Sequence, residues 1–137
     1  MSHMTRCKTK LSDQGCLIKA LADVGYNRVE VHEEATNLYG YQGDMREQKA
    51  EVVIRRAQVG SASNDMGFKR AEDGTFEAII SDYDKHRHNQ EWLKKVNQRY
   101  AFHKVTKELT DMGYEIGDVV TEQGKIKFKA MSVYGGQ

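Results

Sequence analysis

Proline is missing from all 137 residues, where average usage of about 5 per cent would give roughly seven. Its absence excludes a cis-proline turn, a proline-rich ligand motif and proline-protected sheet edges. Cysteine is scarce too: Cys7 and Cys16 are the two present. They come without any apolar run that would serve as a signal peptide or span a bilayer, which favours a reducing, cytoplasmic setting and two buried thiols. Neither sign of charge is in excess, since 21 Lys+Arg against 20 Asp+Glu leave a formal +1. No global field therefore draws the chain to nucleic acid or to anionic lipid, and any such binding must be local. Signatures of phosphate loops, dinucleotide sites, paired-cysteine zinc sites and zinc proteases are all lacking. Gly40-x-x-Gly43 is too short for a phosphate loop and no lysine-serine or lysine-threonine follows it. No cofactor is expected, and enzymatic activity is the less favoured reading.

What is present is enough for one domain over 1–137, a length that hides roughly two thirds of the unfolded surface without staples. The opening Met1-Ser2-His3-Met4 is read as native, although it resembles the scar of a cleaved purification tag. Residues 3–10 alternate as an edge-like strand. Ser12 or Asp13 then offers an oxygen to cap a helix carrying Leu17, Leu21 and Val24 at helical steps, with Gly25 to close it. Residues 26–32 read as a strand, 37–48 as a loop with Tyr39 and Tyr41, and 50–57 (AEVVIRRA) as a β-branched strand. A turn over 59–65 leads to a hairpin of 67–71 and 75–81 around Asp73-Gly74. A helix over 89–112 ends at Gly113, and 114–121 with 125–133 form a hairpin around Gln123-Gly124. A frayed tail is expected over 135–137.

IKALADVGY (18–26) and TKELTDMGY (106–114) share Lys, Leu, Asp, Gly and Tyr without a gap. Either helix-to-strand corners converge on this chemistry, or the chain holds two related strand-helix-strand-strand halves. Both readings lead to an α+β fold with two helices on one face of a mostly antiparallel sheet.

At 100 degrees per residue the long helix carries two apolar stripes. Trp92, Leu93, Val96, Tyr100 and His103 form one; Ala101, Phe102, Val105, Leu109 and Met112 form another on the opposite side. A helix lying on a sheet needs one stripe, so the Trp92 side is expected to require a further cover: the loops 37–48 and 82–88, another copy, or a partner. Arg99 and His103 lie four apart, Tyr100 and His103 three apart. A neutral imidazole there can accept a proton while Arg99 binds an anion, but no nucleophile stands beside it, and a hydrogen-bonded structural role or a partner contact fits better.

Several stretches resemble the plastid and cyanobacterial family called hypothetical chloroplast reading frame thirty-five, a domain of unknown function also found in other bacteria and their viruses. These are the opening MSH, the tyrosine-glycine loop leading into KAEVVI (49–54), Asp-Met-Gly-Phe at 65–68 and VNQRYAFHKV at 96–105. The resemblance implies a small accessory protein, with an AAA-type ATPase as partner, and places any shared site at His3, Arg99, Tyr100 and His103. SDYDKHRHNQ (81–90) departs from the family pattern.

Within that stretch Asp82, Asp84, His86 and His88 fall at every second position, a ligand set zinc or manganese accepts if the chain is extended. A solvated linker before a helix produces the same letters. Lys125, Lys127 and Lys129 share one face of the last strand and, with Arg55 and Arg56, offer a basic surface to RNA or DNA; a sheet with one wet face looks the same. The leading expectation is a non-enzymatic module that binds a protein through Trp92, Val96, Arg99, Tyr100 and His103, with Tyr39 and Tyr41. Nucleic-acid binding through the lysine strand is the alternative, and metal binding at Asp82 to His88 the weaker one.

Overall fold

The computed structural model describes residues 3–133; the tail expected over 135–137 lies outside them. Strand β1 (Met4–Lys8) leads to helix α1 (Gln14–Asp23), and strands β2 (Glu30–Tyr39) and β3 (Met45–Ile54) follow. After the one-turn helix α2 (Arg56–Val59) come β4 (Met66–Arg70), β5 (Phe76–Ser81) and a 3-10 turn (Asp84–His86). Helix α3 (Gln90–Asp111) then precedes β6 (Tyr114–Glu122) and β7 (Lys125–Ser132). Five strands form an antiparallel sheet in the order β1-β5-β4-β3-β2, and β6-β7 make a separate two-stranded sheet. The fold is α+β, as expected.

Caps chosen by the sequence set both long helices. Asp13 accepts from the Cys16 N–H at the start of α1, and Asn89 from the Trp92 N–H at the start of α3. At the end of α1 the Tyr26 N–H reaches the Leu21 carbonyl and the Gly25 N–H that of Ala22, a closure that needs the left-handed backbone Gly25 adopts at φ 109. Gly113 takes φ 91 at the matching corner of α3, so the shared Leu-x-Asp-apolar-Gly-Tyr sequence produces the same local turn twice. The strands that follow differ: β2 and β3 join the main sheet, whereas β6 and β7 stand apart.

Register assigns the two faces of the sheet. Val52, Phe68 and Ala78 lie in one row and point at α1 and α3, where Leu17, Leu21, Leu93 and Val96 complete the main core. The next row, Val53, Gly67 and Ile79, faces the other way and is buried with Leu38 and Ala50. Among the described residues no helix covers that side. Its cover is the far half of the β2-β3 hairpin, which slips register between Val31 and Thr36 and bends back across the sheet. Gly67 makes room for it: a Cβ there would stand 2.6 Å from the Ala50 Cβ and 3.2 Å from Leu38 Cδ2.

Residues 37–48 are thus mostly strand rather than loop. Only Gly40 to Asp44 turn, with the Gly40 N–H bonded to the Asp44 carbonyl and Gly43 at φ 81. Low apolar content misled the reading because one side of this ribbon faces water. The strand expected over 26–32 starts at Glu30, and the one over 50–57 runs from Met45 and stops at Ile54, because the Asp65 carboxylate takes the Arg56 N–H and starts a helical turn there.

The two stripes of α3 also find their places. Leu93, Val96 and Tyr100 are buried against the main core, with Trp92 packed at its edge. The stripe expected to need an outside cover is therefore the core face, and neither loop 37–48 nor another molecule is required to hide it. The opposite stripe is roofed in part by the β6-β7 hairpin: Phe128 meets Phe102 edge-on at 5.6 Å, and the Gln98 amide donates to the Gly124 carbonyl at the hairpin tip.

Candidate binding surface

A half-buried ion-pair network anchors the bent hairpin. Arg55 grips Glu30 with two parallel bonds of 2.9 Å and donates to Asp65 at 2.8 Å and to the Asn37 carbonyl at 3.2 Å. Asp65, itself buried, also accepts the Tyr39 N–H at 2.8 Å and the Arg56 N–H at 2.7 Å, while its own N–H donates to the Tyr39 carbonyl. Asn64 receives the Tyr41 N–H at 3.0 Å. One arginine thus joins the base of β2, the far end of β2 and the start of β4. The Arg55 hydrogen bonds hold the Glu30 carboxyl down at about 2, against the cost of partial burial, and Glu30 in turn pushes the Arg55 guanidinium up.

Above this anchor sits a hollow of about 450 Å³ lined by Tyr39, Gly43, Arg55, Arg56, Ala57 and Asp65. Tyr39, which lines it, is 38% exposed, and at the same end of the hairpin Tyr41 at 43% and Met45, the cross-strand partner of Tyr39, at 66% add exposed aromatic and thioether surface. The Arg55 guanidinium lies 5.7 Å from the Tyr39 ring centre, and Arg56 makes no ion pair among the described residues. Tyrosine, methionine and an uncommitted arginine on a rigid frame are the residue types that anchor protein interfaces.

The expected cluster around Arg99 is a seam between helices. Arg99 Nε donates to Asp23 Oδ2 at 2.7 Å and His103 Nε2 meets the same oxygen at 2.6 Å. Burial tends to raise the Asp23 pKa, yet the bonds from Arg99 and His103 outweigh it and leave the carboxyl below its ordinary value. The Tyr100 hydroxyl accepts the Ser12 and Asp13 N–H groups at 3.1 and 2.8 Å. Lys107, bonded at 2.7 Å, together with the Cys16 N–H holds Asp13 far below the usual carboxylate range. Val96 is fully buried and Tyr100 nearly so, which removes both from any surface; Arg99 and His103 retain only partial exposure. His3, at the edge of β1, lends its carbonyl to the Asp82 N–H and is not part of this seam.

Alternation over Asp82 to His88 is lost because the chain coils into the 3-10 turn. Asp84 is buried, accepting from Asn64 and Ser81, whereas Asp82 faces out with Thr5 and Lys85. His86 packs on Tyr83, and His88 is buried against Tyr26 and Trp92; burial pushes the His88 pKa down. Among the described residues no three His, Cys, Asp or Glu side chains converge to hold a metal ion.

Lys125, Lys127 and Lys129 are exposed on β7, but Lys127 lies 3.5 Å from Glu122 and Lys129 3.5 Å from Asp118. Arg55 and Arg56 flank a different sheet, and the charge of Arg55 is committed to Glu30 and Asp65. The five cations do not form one basic patch. Asn64, Asp65 and Gly67 were assigned no anchoring role from the sequence; the run Asn-Asp-x-Gly leading into β4 was the available sign.

This arrangement defines a small α+β module with one face of its sheet covered by helices and the other by its own bent hairpin. A family model described as Protein of unknown function (DUF1257) matches residues 20–128, and the chain belongs to that family. No curated protein and no solved structure matches it. No helix among the described residues is long and apolar enough to cross a membrane.

Proposed function

We propose that the chain is a non-enzymatic accessory module that binds another protein through the tyrosine hairpin, with Tyr39, Tyr41 and Met45 as the apolar surface and Arg56 as the charged contact. The observation that carries this reading is the exposed aromatic surface held on the ion pair of Arg55 with the buried Asp65: little side-chain or loop ordering is left to be lost on binding. The finer assignment to the hypothetical chloroplast reading frame thirty-five family follows from the resemblance in sequence, and an AAA-type ATPase is the partner it puts first.

Isothermal titration of the purified ATPase against the wild-type chain and a Tyr41→Ala, Arg56→Ala variant tests the reading. Loss of two anchors is expected to weaken binding by about 2 kcal/mol or more, roughly thirtyfold. Unchanged affinity in a variant of unchanged melting temperature refutes the assigned surface, and absence of binding by wild type refutes this partner.

A further inference from the structure

Helix α3 keeps one ridge open to solvent. Lys94, Asn97, Ala101, Val105, Glu108 and Met112 recur at steps of three and four residues, within about 80 degrees of arc, and all six are exposed. Val105 and Met112 leave 43% and 67% of their surface uncovered, although both are apolar. Alongside the ridge runs a groove of about 230 Å³ between α3 and β7, lined by Gln98, Ala101, Phe102, Val105, Ile126 and Phe128. The ridge is narrowest at Ala101, where a second helix backbone can approach most closely, and it carries opposite charges at its two ends. Their ion pairs within the chain are loose and solvated: Lys94 to Glu91 at 3.5 Å and Lys104 to Glu108 at 3.8 Å, a kind worth little.

We propose that a second copy of this chain docks on this ridge, α3 against α3, running antiparallel about a two-fold axis at Ala101. That axis sets Lys94, seven residues before Ala101, opposite the partner's Glu108, seven residues after it, and symmetry makes the pair twice. It also brings Val105 beside the partner's Asn97 and into the groove bordered by Gln98 and Phe102. Antiparallel helix dipoles add to the attraction. A parallel arrangement would face lysine with lysine, and an acidic peptide would meet Glu108 at the far end of the ridge. The pattern is complementary to itself.

Sedimentation velocity of the full chain over a concentration series reads this association. The expected result is a monomer–dimer equilibrium whose upper limit is twice the 15.7 kDa chain. Val105→Asp, at an exposed position, is expected to raise the dissociation constant about tenfold or more without altering the circular dichroism. Lys94→Glu weakens the dimer in the same way, and adding Glu108→Lys to it restores the wild-type constant. A chain that stays monomeric throughout the series, a dimer indifferent to Val105→Asp, or a double charge variant no tighter than Lys94→Glu alone would each overturn the proposal.

Discussion

Replacing Gly67 by alanine tests the account of how the second face of the sheet is closed. The added methyl would stand 2.6 Å from the Ala50 Cβ, where carbon atoms prefer about 3.5–4.0 Å, so the hairpin must lift by about 1 Å or the strand must sink. Leu38, whose Cδ2 would be 3.2 Å away, is fully buried and leaves no easy relief. Overpacking of this kind costs about 1–3 kcal/mol, offset by about 0.4–1 kcal/mol because alanine has less freedom than glycine in the unfolded chain. The net is about 1–2 kcal/mol, which for a chain of this size lowers the melting temperature by about 4–7 °C. Differential scanning calorimetry supplies the number, and a double-mutant cycle supplies the cause. Ala50→Gly removes the obstructing methyl, so the pair must be more stable than the sum of the single changes by about 1 kcal/mol. A Gly67→Ala variant as stable as wild type, or strict additivity in the cycle, would refute the idea that the hairpin lies on this glycine.

Two further predictions concern polar groups. Tyr100→Phe strips the acceptor from two N–H groups at the entrance to α1 and is expected to cost about 1–2 kcal/mol in urea unfolding; a neutral result would mean that these N–H groups are satisfied without the hydroxyl and that Tyr100 contributes by packing alone. Acid is expected to destabilise the fold in two windows. The His88 pKa is lowered on folding from 6.5, so the unfolded chain takes up that proton first and stability falls as pH drops through that range. Glu30, at about 2 rather than 4.5, contributes stability that is complete above 4.5 and is lost as pH falls towards 2. Its side chain is 40% exposed, which limits the contribution to about 1 kcal/mol. Urea midpoints for Glu30→Gln should therefore flatten below pH 4.5 relative to wild type while the slope near 6.5 remains.

Much of the frame was legible because local chemistry names its own boundaries. Ser12 or Asp13 as the first cap, of which Asp13 serves, Gly25 and Gly113 as stops, and Asp73-Gly74 and Gln123-Gly124 as hairpin turns each act within a few residues of where they stand, so spacing alone locates them; the start of α3 was placed at 89, but the capping role of Asn89 was not read. The bent hairpin was not legible in this way. Its path depends on Asp65 reaching Tyr39 and on Arg55 reaching Glu30, contacts 26 and 25 residues apart in sequence, and neither residue type announces a partner at that range. The α3 stripes were found correctly and their covers were exchanged. Periodicity reports that two sides are apolar, but deciding which faces the sheet takes the burial of Val96 and Tyr100 against α1 and the sheet. Arg55 shows the same limit from the electrostatic side: read alone it is a free cation, and only the fold reveals two carboxylates already holding it.

If two copies join through α3, each dimer displays two tyrosine hairpins, and the two proposed surfaces become coupled without touching. Tyr39 and Tyr41 are fixed to the frame by Asp65 and Asn64, and α3 is fixed to the same frame by Val96 and Tyr100, so the spacing between the two hairpins is set by packing rather than by a flexible linker. A partner with repeated subunits at that spacing would gain affinity from the second contact, about a hundredfold or more when geometry allows both to engage. A partner with a single site would gain nothing. Val105→Asp separates the cases, because it leaves the hairpin surface intact and removes only the second copy. The expected outcome is a large loss of apparent affinity for a repeating partner with unchanged affinity for one isolated subunit of it, and an equal effect on both would mean that Val105 touches the partner directly.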